Sequence, residues 1–238
     1  MPFTETTLPT DWRLISLLPR MVRRVRDKGL LATVRRICFL ANELYWERRL
    51  GIDTAGCLSR EEISDDPASV GYDPIGYRQL SHTLRYVHLQ APTGSFLDYG
   101  CGKGRVLARA AVLPFDRILG VEISSELSKA AEANIANLSR VARCRDIQVV
   151  NANACNFVVP DDTTNIFLFN PFTGHLLTSV VDRIRESLER KPRALAILYI
   201  LPTEMSDIFD GVSWMKRTHQ HSWRGITLHV HNSQPSEI

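Results

Sequence analysis

The run Ser95-Phe96-Leu97-Asp98-Tyr99-Gly100-Cys101-Gly102-Lys103-Gly104-Arg105-Val106-Leu107 sets an apolar strand, a glycine turn and a helix start in immediate succession. Phe96 and Leu97 suit a strand covered on both faces. The three glycines let the backbone turn sharply and approach a ligand, and Val106, Leu107, Ala110 and Ala111 give the following helix an apolar face. A second strand, Arg117 to Glu122, ends on an acidic side chain where both ribose hydroxyls of a nucleotide can donate to it. This part of the chain therefore reads as a nucleotide-cofactor site at the edge of a parallel sheet.

Glycine spacing discriminates between cofactors. A dinucleotide fingerprint, Gly-x-Gly-x-x-Gly counted from Gly100, requires glycine at position 105, where the helix passes close to the sheet. That position holds Arg105, and the third glycine falls one residue earlier.

Two later stretches extend the pattern. Asp146 to Val150 alternates as a short strand and leads into Asn151-Ala152-Asn153-Ala154. Asn165 to Phe169 is an apolar strand that stops abruptly at Asn170-Pro171-Phe172. Taken together, the segment around Gly-x-Gly-x-Gly, Glu122, the Asn153 turn and Asn170-Pro171-Phe172 resembles the class I S-adenosylmethionine-dependent methyltransferases. It also resembles uncharacterised bacterial methyltransferase-like proteins that share the Gly-Lys-Gly-Arg-Val and Asn-Pro-Phe signatures.

The resemblance implies S-adenosyl-L-methionine as cofactor. It further implies Gly100, Gly102 and Gly104 against the methionine portion, Asp98 orienting its ammonium group, Glu122 on the ribose, Ile123 against the adenine, and Asn153 with Ala154 at the adenine edge. Asn153 stands where that family usually carries an acid, and its side-chain carbonyl accepts a hydrogen bond without charge. Amino-directed members carry a polar residue, two prolines and an aromatic at the fourth motif. This chain departs by having one proline fewer; the resemblance implies Asn170, Pro171 and Phe172 as the catalytic group, with a nitrogen nucleophile as the expected acceptor. The alternative is a degenerate relative that binds cofactor without turnover.

Strand and helix signals continue to alternate. Ser124 is expected to cap a helix carrying Leu127, Ala131, Ile135 and Leu138, and Thr173 one carrying Leu177, Val180, Val181, Ile184 and Leu188. A strand from Arg193 to Leu201, a short helix from Pro202 to Phe209, and strands over 212–218 and 226–231 follow. The expected architecture is α/β, a Rossmann-like doubly wound sheet. The resemblance implies seven strands, mostly parallel with the last antiparallel. Residues 71–238 are expected to form the methyltransferase domain and 1–70 a basic helical N-terminal extension.

Charge supports that division. The net charge of the 238 residues is +3, yet Arg13 to Arg49 holds ten basic and three acidic residues while the remainder holds 19 and 23. Leu30, Val34, Ile37, Ala41 and Leu44 recur at helical spacing, predicting one amphipathic helix preceded by a basic turn or short helix. Its basic face suits nucleic acid, a membrane surface or another anionic partner, or is simply the solvated side of a docked helix.

Between the extension and the glycine turn, Tyr72 and Tyr77 are each read as filling the core with a satisfied hydroxyl or as reaching the cofactor. Five cysteines without a Cys-x-x-Cys pair, together with the lack of a signal peptide or an apolar run of spanning length, point to reduced thiols and a cytoplasmic protein. Cys101 is expected to be structural. His219, His221, His229 and His231 are spaced to share strand faces, but no acid or cysteine accompanies them at ligand spacing, so no metal is expected.

Overall fold

The computed structural model describes residues 25–90 and 94–234. One seven-stranded sheet runs in the order β3-β2-β1-β4-β5-β7-β6. Its strands are β1 (Ser95–Tyr99), β2 (Arg117–Glu122), β3 (Ile147–Asn151), β4 (Thr163–Phe169), β5 (Ala196–Pro202), β6 (Met215–Ser222) and β7 (Ile226–Ser233). β1 pairs in parallel with both β2 and β4, and β5 extends the parallel set. β7 inserts antiparallel between β5 and β6. The doubly wound, last-strand-antiparallel expectation holds.

The period of two along each strand builds two cores. Phe96, Ile118, Phe167, Leu198 and Val230 point to one face, where they meet Leu80, Leu84, Leu107 and Leu138. Leu97, Leu119, Ile166, Leu168 and Ile197 point to the other, against Val180, Ile184 and Leu188. The first face is covered by helices α3 (Tyr77–Gln90), α4 (Arg105–Ala110) and α5 (Ser125–Ala136), the second by α6 (Gly174–Arg190). Between β3 and β4 the covering helix is reduced to a 3-10 turn, Ala154–Asn156. Burial of a full-size Leu or Phe contributes about 1.5–3 kcal/mol, so this alternation alone fixes which residues face which layer.

Several local expectations are corrected. Pro202 ends β5 rather than starting a helix, and the only helical turn there is a 3-10 turn at Ile208–Gly211. The strand expected over 212–218 starts at Met215 and continues to Ser222, because Val212 caps that turn and Trp214 is buried behind it. Ser124 caps α5 by accepting the Leu127 N–H at 3.3 Å. Thr173 holds the cap position of α6, but its side chain makes no cap bond, and its N–H donates to the Ala68 carbonyl instead.

The N-terminal helix brings the largest correction. α1 (Leu30–Leu50) forms, with a basic helical turn before it, but it docks by the side opposite to the expected one. Thr33, Glu43, Glu47 and Leu50 are buried, whereas Leu30, Val34, Ile37 and Ala41 are exposed. The cause is Arg105. Its guanidinium, 5% exposed, donates to Glu43 at 2.5 Å and Glu47 at 3.1 Å, to the Thr54 hydroxyl and to the Ile75 carbonyl, and lies 4.4 Å from the centroid of the Tyr77 ring. A buried charge demands this many partners, and α1 supplies the carboxylates. A short helix α2 (Arg60–Ile63), closed by a Ser59/Glu62 capping box, links this latch to the cleft.

Candidate active site

Strand order reverses between β1 and β4, where open α/β sheets form a crevice beyond the carboxyl ends of their strands. The cleft here has a volume of about 270 Å³ and is walled by the ends of β1, β2, β4 and β5 and by the Ser69–Ile75 segment. The turn after β1 is anchored by Gly100 N–H and Cys101 N–H, both donating to the Val121 carbonyl. Gly100 has φ 74° and Gly102 φ 53°. A Cβ on Gly100 would lie 2.7 Å from Pro171 Cβ, and one on Gly102 would lie 2.3 Å from the Tyr72 ring. Both glycines thus serve left-handed backbone and close approach at once. Gly104, also left-handed, caps α4 against Ala131.

Glu122, 5% exposed, ties the turn to the next helix by accepting Gly102 N–H and Ser124 N–H, each at 2.9 Å. Burial raises its pKa above the usual carboxylate range, against the lowering effect of those two donors. Asp98 is 2% exposed, and its Oδ2 has no hydrogen-bond partner. Burial first, and the Glu122 charge second, push its pKa well up. Ile123 and Ala154 line the cleft, Ile123 with its side chain partly open to solvent. Asn153 lines it too, and its Oδ1 accepts Cys155 N–H at 2.9 Å as the cap of the 3-10 turn.

On the opposite wall, Asn170 is the only non-glycine residue with positive φ among those described, at 40°. Its N–H donates to the Ile200 carbonyl at 2.8 Å and its Oδ1 is buried without a partner. Strain of this kind costs on the order of 1–3 kcal/mol and concentrates at functional sites. Pro171 packs on Gly100. Phe172 lines the cleft while lying edge-to-face on Tyr99, with ring centroids 6.2 Å apart.

The two tyrosines separate. Tyr72 lines the cleft over Gly102 and donates to the Thr54 carbonyl, whereas Tyr77 is fully buried with its hydroxyl on Glu47, far down in the latch. Cys101 is buried over Gly120 and its thiol is pushed well up by burial and by the Asp98 and Glu122 charges, which deprives it of nucleophilic character. All five cysteines are unpaired.

The histidines do not gather as their spacing suggested. A register shift in β6 between Arg217 and His219 sends His219 and His221 to the face of Tyr86 and His82, while His229 and His231 point to the other. There an acid does accompany them, contrary to the expectation from spacing. Asp207, arriving from the loop after β5, sets its Oδ2 in hydrogen-bond contact with His229 Nδ1 and, at 2.7 Å, with His231 Nε2. These three donors lie within 4.8 Å of one another. One carboxylate oxygen bonded to both rings sits closer to each nitrogen than the ~3.3 Å separating tetrahedral ligands about 2.0–2.1 Å from one zinc ion. The cluster reads as a polar bolt between β7 and its loop. Sequence spacing could not reveal it, because the acid is 22 residues from its first partner.

The reversed strand order, the glycine turn and the acidic end of β2 define a nucleotide-cofactor α/β fold. Residues 96–191 match the family described as a methyltransferase domain. Among solved structures, an RNA methyltransferase from Salinibacter ruber, determined with S-adenosyl-L-homocysteine, superposes with TM-score 0.51 at 20% identity, covering 70% of this chain and 96% of its own. The ribosomal protein L11 methylase of Lactobacillus delbrueckii subsp. bulgaricus gives 0.51 at 16% identity, covering 68% and 81%. No curated protein matches the chain. The matched residues hold the glycine turn, the acidic end of β2 and the Asn170 corner, and the cofactor that a match of this kind indicates is S-adenosylmethionine. The site residues fit that cofactor: the unpartnered Asp98 oxygen calls for a cationic donor of the kind the methionine ammonium supplies, and the cradle at Gly100 and Gly102 admits no side chain.

Proposed function

We propose that this chain transfers a methyl group from S-adenosylmethionine to a nitrogen nucleophile. The observation that carries the reading is the Asn170 side-chain oxygen, buried and unpartnered at a left-handed corner on the cleft wall facing the glycine turn. When bound, the cofactor supplies a methyl group already activated on a sulfonium. The protein then has mainly to position and to exclude water. Asp98 holds the ammonium, Glu122 keeps the Gly102 turn in register and accepts from the ribose, and Ile123, Asn153 and Ala154 receive the adenine. Asn170 Oδ1 and the Pro171 carbonyl accept the N–H of the acceptor and so aim its lone pair along the line of displacement, with Phe172 against the acceptor's flat face.

Histidine, the side chain that most often takes a proton from a hydroxyl, does not line the cleft among the described residues, which supports nitrogen over oxygen as the attacking atom. Two structural neighbours bear names that state RNA and a ribosomal protein as their acceptors, and an acceptor on a macromolecule is compatible with a cleft open to solvent. The basic extension, read as residues 1–70, would meet nucleic acid or another anionic partner; Arg13 to Arg24 lie outside the described residues. A cytoplasmic location fits the unpaired cysteines, and no helix among the described residues is long and apolar enough to cross a membrane.

One observation favours the second reading, a degenerate relative: the Asn153 side-chain oxygen, which would meet the adenine, already caps its own turn and so offers less to the cofactor. Calorimetry with S-adenosylmethionine, wild type against Glu122→Ala and with NAD as control, tests the cofactor step. Labelled methyl donor then tests transfer. Binding without transfer to any amine, amide, RNA or protein acceptor would favour the second reading.

A further inference from the structure

α1 is held to the domain by its polar side. Its two acids, Glu43 and Glu47, are turned inward and neutralised by Arg105, so the outward side of the helix carries no carboxylate. What faces outward is the stripe that sequence spacing would have buried. Leu30 is 67% and Leu31 64% exposed, Val34 46% and Ile37 41%, and Tyr45 continues the line at 53%. At 1.5 Å per residue the stripe from Leu30 to Tyr45 is about 22 Å long. Basic side chains bracket it: Lys28 before the helix, beside Arg26, which pairs with Asp27 at 3.5 Å, then Arg35 along one flank and Arg48 and Arg49 in the last turn.

We infer that this face of α1 lies in the surface of an anionic lipid bilayer, apolar stripe down, with the bracketing cations at headgroup phosphates. Three occupants compete for such a face. Nucleic acid would pair with the cations but leave a leucine-rich stripe in water, where it gains nothing. A second copy would cover the stripe, yet either orientation of two such helices brings basic ends together, and like charges oppose close pairing. A bilayer surface satisfies both features at once, the acyl boundary taking Leu30, Leu31, Val34 and Ile37 and the headgroups taking the charges. The helix lies on the membrane rather than across it, since its 21 residues include six charged ones. The inference rests on the reading of the extension as facing an anionic partner, and not on the identity of the methyl acceptor.

The test is flotation of the full chain with vesicles of phosphatidylcholine and phosphatidylglycerol, compared with phosphatidylcholine alone. Binding is expected to the anionic vesicles, to weaken about tenfold or more in Val34→Asp/Ile37→Asp, and to fall with added salt and in Arg35→Gln/Arg48→Gln. Calorimetry with S-adenosylmethionine and a thermal melt accompany each variant, and unchanged values separate a lost surface from a lost fold or cofactor site. Failure of the wild type to float with anionic vesicles overturns the inference. So does binding that the Val34/Ile37 variant leaves intact, a wild-type dimer that this variant converts to monomer, or RNA binding in place of vesicle binding.

Discussion

The guanidinium of Arg105 meets the carboxylate of Glu43 at 2.5 Å, both side chains less than a tenth exposed, across 62 residues of sequence. The position that would be glycine in a dinucleotide-binding turn thus holds the residue that fastens the N-terminal helix to the catalytic layer. From there the same network reaches the cleft. Thr54, which donates to Glu47 and accepts from Arg105, offers its carbonyl to the Tyr72 hydroxyl, and Tyr72 lies on Gly102.

Arg105→Met should therefore destabilise the protein by about 3–5 kcal/mol, because it leaves two buried carboxylates uncompensated. Urea unfolding measures the loss. Adding Glu43→Gln and Glu47→Gln to that variant should recover a large part of it, since neutral amides remove the unpaired charge. Equal stability of the single and triple variants would mean that charge burial is not what the latch depends on.

At the turn itself, Gly102→Ala sets a methyl group against the Tyr72 ring and forces a left-handed backbone on a residue with a side chain. Overpacking of this kind costs about 1–3 kcal/mol. Cofactor affinity should fall with it, because the same backbone forms the cradle. Tyr72→Ala on the Gly102→Ala background removes the clash but not the backbone strain, so calorimetry should find partial recovery of binding; none would point to the backbone conformation alone.

Two buried carboxylates give the site a defined response to pH. Asp98 and Glu122 have folded-state pKa values raised above 3.8 and 4.5, the first by burial and by Glu122, the second by burial. A raised folded pKa means that the native state holds its protons longer than the unfolded chain, so stability is greatest below the ordinary carboxylate range and declines as pH rises through the raised values. The ligand-free protein should lose stability upward from about pH 4, where these groups alone are concerned, and Asp98→Asn should flatten that slope. Cofactor binding, by giving Asp98 a cationic partner, should release a proton. The measured binding enthalpy would then vary with the ionisation enthalpy of the buffer, and in Asp98→Asn that dependence should shrink.

The succession of strands and helices, the glycine turn and the acidic end of β2 were legible because each is written in contiguous residues: alternation fixes the face, and Gly-x-Gly-x-Gly fixes the turn. What was not legible depends on partners distant in sequence. The apolar spacing of Leu30, Val34, Ile37 and Ala41 announces a buried stripe, and only Arg105, 62 residues beyond Glu43 and 58 beyond Glu47, explains why those two acids are inside instead. Thr173 looks like a cap, but its backbone is already drawn to Ala68. The histidine pairs share a period, yet one register shift in β6 parts them, and Asp207 joins His229 and His231 from a loop. Residue types announced positions that the structure gathers along the cleft, Asp98, Gly100, Glu122, Ile123 and Asn153 among them; the left-handed φ of Asn170 and its unpartnered oxygen had no local signature.

Asn170 offers a substitution that separates its two properties. Alanine removes the side-chain oxygen but keeps the penalty of φ 40°, whereas glycine removes the oxygen and relieves the penalty. If the oxygen aims the acceptor, Asn170→Gly should fold at least as stably as the wild type and bind S-adenosylmethionine with nearly the same affinity. Its turnover should nevertheless fall by about a hundredfold, the scale on which lost alignment of a nucleophile is felt. Asn170→Asp keeps an accepting oxygen at the same corner and should retain more activity than either. Methyl transfer followed with labelled donor across the three variants decides the matter: if glycine is as active as asparagine, the corner matters only as backbone geometry and the nitrogen acceptor is held elsewhere in the cleft.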